Sequence, residues 1–197
     1  MNAHRLYHLI GGLFFPIFYW FVPSHKIVLI FFFIIAIIFS IIEILRFFSH
    51  SAKNFLYKKF SWLSGLFKQE EASRVSGTTY LAWGDFLTTF LFQKDIAILA
   101  MVFLAVGDLA AAVFGESFGK INILGRSLEG FIVSFIVSLI VGLIYFKYFS
   151  FINLSFKIIL WGSLTSSIIG HISTPVLKIN DNLTIPVISG LVMTLVL

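Results

Sequence analysis

The sequence is poor in the residues that a soluble domain needs. It contains no cysteine, and only 12% of its 197 residues are charged, whereas soluble domains carry about 25% charged residues. The lack of cysteine excludes disulfide bridges, thiolate metal sites and a cysteine nucleophile. The low charge excludes an ordinary soluble fold.

Apolar residues make up most of the chain instead. They account for 59% of it, and the mean hydropathy is +1.01. Only helices and closed barrels satisfy their backbone groups in lipid. Barrel strands alternate apolar and polar residues, whereas the run from Ile27 to Phe39 is apolar throughout. We therefore predict an all-α fold: a polytopic integral membrane helical bundle that forms one domain over residues 1–197.

Seven apolar stretches are candidates for membrane spans. They cover residues 6–22, 27–45, 75–92, 96–114, 131–149, 156–172 and 184–197. The last stretch reaches only about 21 Å as a helix, so six spans are the alternative to seven. The interval 46–74 mixes aromatic and basic residues, which predicts either an interfacial helix in the headgroup plane or a plain juxtamembrane connector.

The positive charges are sorted along the chain. Ten of the 14 Lys and Arg residues fall in the N-terminus, the interval 46–74 and the loops 115–127 and 173–183. Cations favour the cytoplasmic side of a membrane. We therefore predict a multi-pass protein of the cytoplasmic membrane with its active face on the cytoplasmic side. This bias and anionic headgroups account for the net charge of +5, so we expect no nucleic-acid partner.

Acidic residues are scarce, which makes their positions informative. Of the nine, four lie in or beside the two small loops: Asp108, Glu116, Glu129 and Asp181. Asp108 falls within an apolar stretch, where a carboxylate costs about 2.5–3.5 kcal/mol on insertion scales and is a functional candidate by default. Asp85 and Glu43 also fall within apolar stretches, and Glu43 could snorkel or pair with Arg46.

The segment Gly107–Gly130 has the composition of a magnesium–polyphosphate site. Glycines would allow a close approach of the backbone to a ligand, cations would offset phosphate charge, and carboxylates would hold a hard metal. These residues are Gly107, Gly115 and Gly119, then Lys120, Arg126 and Ser127, then Asp108 and Glu129. The alternative is an ordinary glycine-containing loop with snorkelling cations.

Three further groups have an open interpretation. Asp181 and Asn182 are either oxygen ligands or the N-cap of the last helix. Arg5 and His8 lie one helical turn apart on one face. Small residues recur at four-residue spacing, which predicts close helix packing; they are Ser134, Ser138 and Gly142, then Gly162, Ser166 and Gly170.

Four segments carry a family resemblance. They are RLYHLIGG at 5–12, RVSGTTYLAWG at 74–84, the Gly107–Gly130 segment with its GD, GK, RS and EG pairs, and DNLTIP at 181–186. In this order, over almost the whole chain, they resemble the polyprenol kinase family, which includes dolichol kinase, phytol kinase and the CTP-dependent diacylglycerol kinases. Arg126 stands where that pattern has Lys, Leu6 replaces a basic residue, and Gly170-His171 stands where an acidic residue is usual.

The resemblance implies transfer of the γ-phosphoryl group of CTP to a lipid alcohol (polyprenol, phytol or diacylglycerol), with Mg²⁺ as cofactor. It implies catalytic roles for Asp108, Lys120, Glu129 and Asp181, with Asp108 and Glu129 on the metal. It implies nucleotide contacts at Gly107, Gly115, Gly119, Lys120, Arg126, Ser127 and Asn182. Arg5, His8, Arg74 and Gly77 are further candidates from the matching segments.

Three other functions remain alternatives. Phosphatidate cytidylyltransferases share a related pattern and also use CTP, but this chain lacks their GHGG signature, so we favour the kinase. From a different class, a membrane transporter would align Asp85 and Asp108 on an aqueous path. A non-catalytic lipid-binding protein would bind no CTP. The sequence carries no signal for the identity of the lipid or for the oligomeric state.

Overall fold

The structure is a computed structural model that describes residues 3–48, 75–151 and 154–197, with side chains from residue 9 onward. The helices are α1 (Ala3–Phe21), α2 (His25–Phe48), α3 (Gly77–Leu91), α4 (Lys94–Phe118), α5 (Leu128–Tyr148), α6 (Phe156–Ile172) and α7 (Asp181–Val196). A π-helical turn at Ser173–Leu177 follows α6. The predicted all-α class is confirmed, apart from one very short hairpin.

That hairpin lies between α4 and α5, where the sequence predicted only a loop. Strands β1 (Asn122–Ile123) and β2 (Arg126–Ser127) pair antiparallel. The two residues that join them, Leu124 and Gly125, both have positive φ, at 55° and 82°. Positive φ at both central positions is the type I′ geometry, which matches the twist of a tight hairpin. The turn therefore fixes the position of Arg126 relative to α4.

Three helices in the described part of the chain, α2, α4 and α5, are long and apolar enough to cross a membrane. Helices α3, α6 and α7 have 15, 17 and 16 residues. They span only about 23–26 Å, less than the ~30 Å hydrocarbon core of a typical bilayer. The span count of seven therefore stays a prediction. Within the predicted interfacial interval, residues 46–48 continue α2, and residues 49–74 lie outside the described residues.

Helix α4 forms the centre of the bundle. It packs against α1, α5, α6 and α7, and all residues from Asp95 to Ala105 except Val102 are buried. A helix that is apolar on all sides is typical of a core position. Helices α1, α5, α6 and α7 therefore surround α4, whereas α2 packs on α3.

The course of α4 defines two ends of the bundle. At its start, Lys94 Nζ donates to the carbonyl oxygens of Trp20 and Val22, at 3.2 and 3.0 Å, which brings in the end of α1. The hydroxyl of Tyr145, near the end of α5, donates to Asp95 at 2.6 Å. We call this the closed end. The far end of α4 is about 37 Å away, for 25 residues at the α-helical rise. We call this end, together with the hairpin, the cavity end, because a cavity is lined by residues of both.

Small residues bring the central helices close together, as the four-residue spacing predicted. A Cβ added at Gly142 on α5 would lie 2.6 Å from Ile159 Cγ2 on α6. One added at Gly107 on α4 would lie 2.8 Å from Ser138 Oγ on α5. Real Cβ atoms do not approach this closely, so these contacts require residues without a side chain.

Candidate functional site

A cavity of about 940 Å³ opens at the cavity end. Its volume is at the upper limit of about 300–1,000 Å³ that is usual for small-molecule sites. Nine of the residues predicted for the catalytic, nucleotide or neighbouring site line it: Gly77, Asp108, Gly115, Gly119, Lys120, Arg126, Ser127, Asp181 and Asn182. Gly107 and Glu129 do not. The side chains of Arg5, His8 and Arg74 lie outside the described residues.

Glu129 shapes the loop that carries Lys120. Its Oε1 accepts the backbone N–H groups of Lys120 and Ile121, at 3.0 and 3.2 Å. The carboxylate is therefore used to hold the chain as it leaves α4. This placement differs from the expected pairing with Asp108 on a metal, because Asp108 lines the cavity and Glu129 does not.

Ser127 is the centre of a glycine cluster. Its Oγ caps α5 by accepting the Gly130 N–H at 3.0 Å. A Cβ at Gly115 would lie 2.7 Å from this Oγ, and one at Gly130 would lie 2.9 Å from it. Gly119 also packs against Ser127. The expectation that Gly115 and Gly119 serve approach to a ligand is therefore incomplete, because their missing side chains make room for Ser127 and bring α4 against α5.

Arg126 and Asp181 form an ion pair across the cavity end. Arg126 Nη2 lies 2.8 Å from Asp181 Oδ2, and the two side chains are 31% and 17% exposed. Arg126 also donates to Thr174 Oγ1 at 3.3 Å. The pair joins the hairpin to the start of α7. Because exposed pairs contribute only about 0–1 kcal/mol to stability, its main consequence is to place a cation and a carboxylate side by side on the cavity wall.

The N-cap of α7 is Asn180, so the alternative that Asp181 or Asn182 caps this helix does not hold. The Asn180 side chain accepts the N–H of Asn182 at 3.0 Å, which leaves Asp181 for Arg126. Asn182 is buried, and its Nδ2 donates to the carbonyl oxygen of Gly77 at 2.9 Å. Two candidates from distant segments, Gly77 and Asn182, are therefore in direct contact.

A buried ion pair supports the wall beside Gly77. Arg46 Nε donates to Glu43 Oε2 at 2.7 Å, and both residues are 4% exposed. Glu43 also accepts the Ser76 N–H and the Thr79 hydroxyl. Of the two expectations for Glu43, pairing with Arg46 is confirmed. Removing one member of a buried pair costs about 3–5 kcal/mol, so this network fixes the end of α2 against the start of α3.

Sequence reasoning missed part of the polar wall. Ser134 on α5, with Ser166 and Ser167 on α6, line the cavity next to His171, and Ser167 Oγ donates to Ser134 Oγ at 3.4 Å. The small-residue spacing predicted only packing for Ser134 and Ser166. A signal for them was present in the sequence. The small-residue rows on α5 and α6 carry serine hydroxyls at positions where alanine or glycine would pack as closely.

A second wall of the cavity, formed by α1, α2 and α3, is apolar. It consists of Gly11, Phe14 and Phe15 on α1, Ile35, Ile38 and Phe39 on α2, and Leu81 on α3. A ligand that touches both walls needs two parts. One part is polar and bears an anion or a hydroxyl group, and the other is apolar. The cavity is therefore suited to an amphiphile.

Two observations bear on the alternatives. Asp85 does not line the cavity, and both its carboxylate oxygens are buried without a hydrogen-bond partner among the described residues. Asp85 and Asp108 therefore do not share this cavity, which is unlike the aligned path expected of a transporter. No three His, Cys, Asp or Glu side chains cluster as a metal site in the ranges that the structure describes.

The comparisons with known proteins add a relationship over nearly the full chain. The sequence is 30% identical over 185 residues to the uncharacterised protein RP860 of Rickettsia prowazekii, and the match covers 94% of this chain and 89% of that protein. This chain belongs to the family of RP860. No protein-family model matches the sequence, and no solved structure gives a significant match.

A second relative is an enzyme. The chain is 28% identical over 155 residues to CTP-dependent diacylglycerol kinase 1 of Saccharomyces cerevisiae. The match covers 68% of this chain and 53% of the yeast protein, so the chain corresponds to about half the length of that enzyme. This distant similarity supports a kinase-like family of membrane proteins.

Proposed function

We propose that this protein is a CTP-dependent lipid-alcohol kinase that transfers the γ-phosphoryl group of CTP to a hydroxyl of a membrane lipid. The observation that carries the proposal is the cavity itself, which joins a charged and hydroxyl-bearing wall to an apolar wall. The similarity to the yeast kinase supports the same reaction, and the polyprenol, phytol and diacylglycerol classes are its candidate substrates.

The proposed orientation follows from the two ends of the bundle. The hairpin, the π-helical turn and the start of α7 all lie at the cavity end, and Lys120, Arg126 and Lys178 lie in or next to these segments. Lys26, Lys94, Lys147 and Lys157 belong to segments at the closed end. We therefore place the cavity on the cytoplasmic side, where CTP is dissolved, in a chain that crosses the cytoplasmic membrane seven times.

Each charged residue of the wall has a proposed role. Lys120, whose side chain is exposed, and Arg126 would contact the phosphates. Asp181, beside Arg126, would orient that guanidinium and accept the proton of the lipid hydroxyl. In the reaction the hydroxyl oxygen bonds to the γ-phosphorus, the bond to the bridging oxygen breaks, and CDP leaves; such transfers depend mainly on positioning and charge neutralisation.

Asp108 would hold the magnesium ion. Mg²⁺ is usually bound by one or two carboxylates together with substrate phosphates and water, so the absence of a three-residue cluster among the described residues fits this kind of site. When bound, the ion would neutralise phosphate charge. Glu129 would support the site through the backbone of Lys120.

Label transfer tests the reaction type. Membranes that contain the protein are incubated with CTP labelled at either the γ- or the α-phosphate, and lipids are extracted. We expect label in lipid only from the γ position. Label only from the α position would show cytidylyl transfer and overturn the kinase, and absence of label together with absence of CTP binding would indicate a non-catalytic lipid-binding protein.

A further inference from the structure

Helices α1 and α2 contact each other through the half that lies towards the closed end. The ring centroids of Phe18 and Phe31 are 4.6 Å apart, and those of Phe15 and Phe32 are 5.0 Å apart. Tyr19 and Phe32 add a third contact between the helices, at 6.4 Å. In the described part of the chain, ring contacts between α1 and α2 are confined to this half.

Towards the cavity end each helix packs on a different neighbour. On α1, a Cβ added at Gly12 would lie 3.1 Å from Ala105 Cβ on α4. On α2, Ser40 Oγ accepts the indole N–H of Trp83 on α3 at 2.9 Å. Between these supports, Gly11 and Phe14 of α1 line the same cavity as residues of α2. The two helices therefore diverge from their phenylalanine contacts, and the cavity lies between them.

The opening between the helices is bordered by apolar side chains of both α1 and α2, and the protein surface around it is also apolar. Phe14 and Ile38, which line the cavity, are each 49% exposed. The adjacent outer surfaces carry exposed apolar residues, including Ile10 on α1 with Ile34 and Ile41 on α2. Because α2 is long and apolar enough to cross a membrane, this side of the bundle is suited to contact with acyl chains.

We propose that the opening bordered by Gly11, Phe14, Ile35 and Ile38 is a lateral entrance through which the lipid substrate reaches the cavity from the bilayer. This rests on the proposed function, because the occupant is the lipid that is phosphorylated. The head of the lipid lies at the wall formed by Asp108 and the serines, while its chains extend between α1 and α2 into the membrane.

The entrance has a consequence for substrate choice. Chains that stay in hydrocarbon keep the favourable free energy of apolar burial, so the enzyme does not have to extract the lipid. Selectivity then depends on the head and on the first part of each chain, which pass between the helices. The total length of the chain has little effect on wild-type activity.

Gly11 provides a selective way to close the entrance. A Cβ added there meets no atom within 4 Å, so the position has room for the start of a side chain. Because Gly11 lines the cavity, a large side chain at this position narrows the opening. The test variant is Gly11→Trp. Its matched control is Ile10→Trp, which places the same side chain on the neighbouring exposed position, 58% accessible and outside the cavity lining.

Activity is measured with a long-chain lipid alcohol in liposomes and with a short-chain analogue in detergent. For Gly11→Trp we expect kcat/KM to fall by about tenfold or more for the long-chain lipid, with a much smaller loss for the short analogue. Ile10→Trp is expected to match the wild type on both, and CTP affinity is expected to be unchanged in all variants. Equal activity of Gly11→Trp and Ile10→Trp on the long-chain lipid would overturn the entrance.

Photolabelling provides a readout that does not require phosphoryl transfer. Wild-type protein in liposomes is irradiated with a long-chain alcohol that carries a diazirine in the first part of its chain, the part that passes between α1 and α2, and labelled residues are located by mass spectrometry. We expect labels concentrated on Phe14, Ile35 and Ile38, reduced by Ile38→Trp. Labels spread evenly over the outer faces of the helices would overturn the entrance. Concentrated labels without γ-phosphoryl transfer would contradict the proposed function alone.

Discussion

The two ends of the bundle use their polar residues differently. At the closed end, Asp95 is 1% exposed and accepts the Tyr145 hydroxyl at 2.6 Å and the Phe151 N–H at 2.8 Å. At the cavity end, Arg126 and Asp181 pair while remaining partly exposed on a cavity wall. Buried charges are tolerated when they are paired and hydrogen-bonded, so the first arrangement suits a structural joint and the second suits a ligand site.

Lys94 completes the joint at the closed end. Besides its bonds to the end of α1, its Nζ lies 4.4 Å from the ring centroid of Phe151 and 5.4 Å from that of Tyr19. Trp20 Nε1 adds a bond to the carbonyl oxygen of Phe149 at 3.1 Å. These contacts join the end of α1 to α4 and to the segment after α5. The other end of α1, towards the cavity, has no such joint among its described side chains and is the part that separates from α2.

The largest expected effect is a loss of activity from a single change at the cavity end. Asp108→Asn removes the charge proposed to hold Mg²⁺, and we expect kcat to fall by about 10²–10³, the usual cost of losing one electrostatic contact to a transition state. The melting temperature in detergent is expected to stay close to that of the wild type. A large fall in melting temperature would show that Asp108 is structural, contrary to its proposed role.

The next largest effect is a loss of stability at the closed end. Asp95→Ala leaves the buried Tyr145 hydroxyl without its acceptor, at a cost of about 1–3 kcal/mol. The partly buried Phe151 N–H also loses its acceptor, at a smaller cost. We expect a lower midpoint in chemical unfolding, with the activity of the folded fraction unchanged at low temperature. Tyr145→Phe, which removes one of the two bonds together with its donor, is the control and should cost less. If Asp95→Ala lost as much activity per folded molecule as Asp108→Asn, the proposed difference between the two ends would be contradicted.

A smaller effect, of opposite sign, is expected at Asp85. The carboxylate is 1% exposed and has no hydrogen-bond partner among the described residues. Replacing a buried polar group that lacks partners by an apolar residue of similar size is neutral or stabilising. We expect Asp85→Leu to keep or raise the unfolding midpoint and to retain activity. Loss of activity at unchanged stability would show that Asp85 takes part in function, as the transporter alternative requires.

The smallest effect is expected at Arg126. In the Arg126→Lys variant the positive charge remains, but the planar group that contacts both Asp181 and Thr174 is lost. We expect the KM for CTP to rise severalfold, with kcat little changed. Arg126→Met, which also removes the charge, should raise KM further. Equal KM values for the Lys and Met variants would mean that the charge of Arg126 does not act on the nucleotide.

The sequence predicted the convergence of the site better than its details. Antiparallel helices return alternate loops to the same end, so the sorted cations placed the loops that carry Arg126 and Asp181 on the same face before any contact was known. The sequence left open whether Asp181 and Asn182 are oxygen ligands or the cap of α7. Asn180 is the cap, and because Asn and Asp are equally good N-cap residues, only the backbone selects among the three neighbours. The role of Glu129 in holding the loop depends on a hairpin of four paired residues, which is too short to leave a periodic pattern.

The apolar wall was also beyond sequence reasoning. Gly11 and Ile35 follow the same apolar pattern as residues that pack in the core, and nothing in that pattern indicates that α1 and α2 diverge. The divergence arises because α1 packs on α4 while α2 packs on α3. It is therefore a property of tertiary packing, which local sequence does not encode.

The central claim is that the cavity end performs phosphoryl transfer and that the closed end holds the bundle together. It is tested most directly by adding γ-labelled CTP to purified protein in liposomes that contain candidate lipid alcohols. The account predicts labelled lipid phosphate from the wild type and from the folded fraction of Asp95→Ala, and almost none from Asp108→Asn. Equal labelling by Asp108→Asn and the wild type would contradict it.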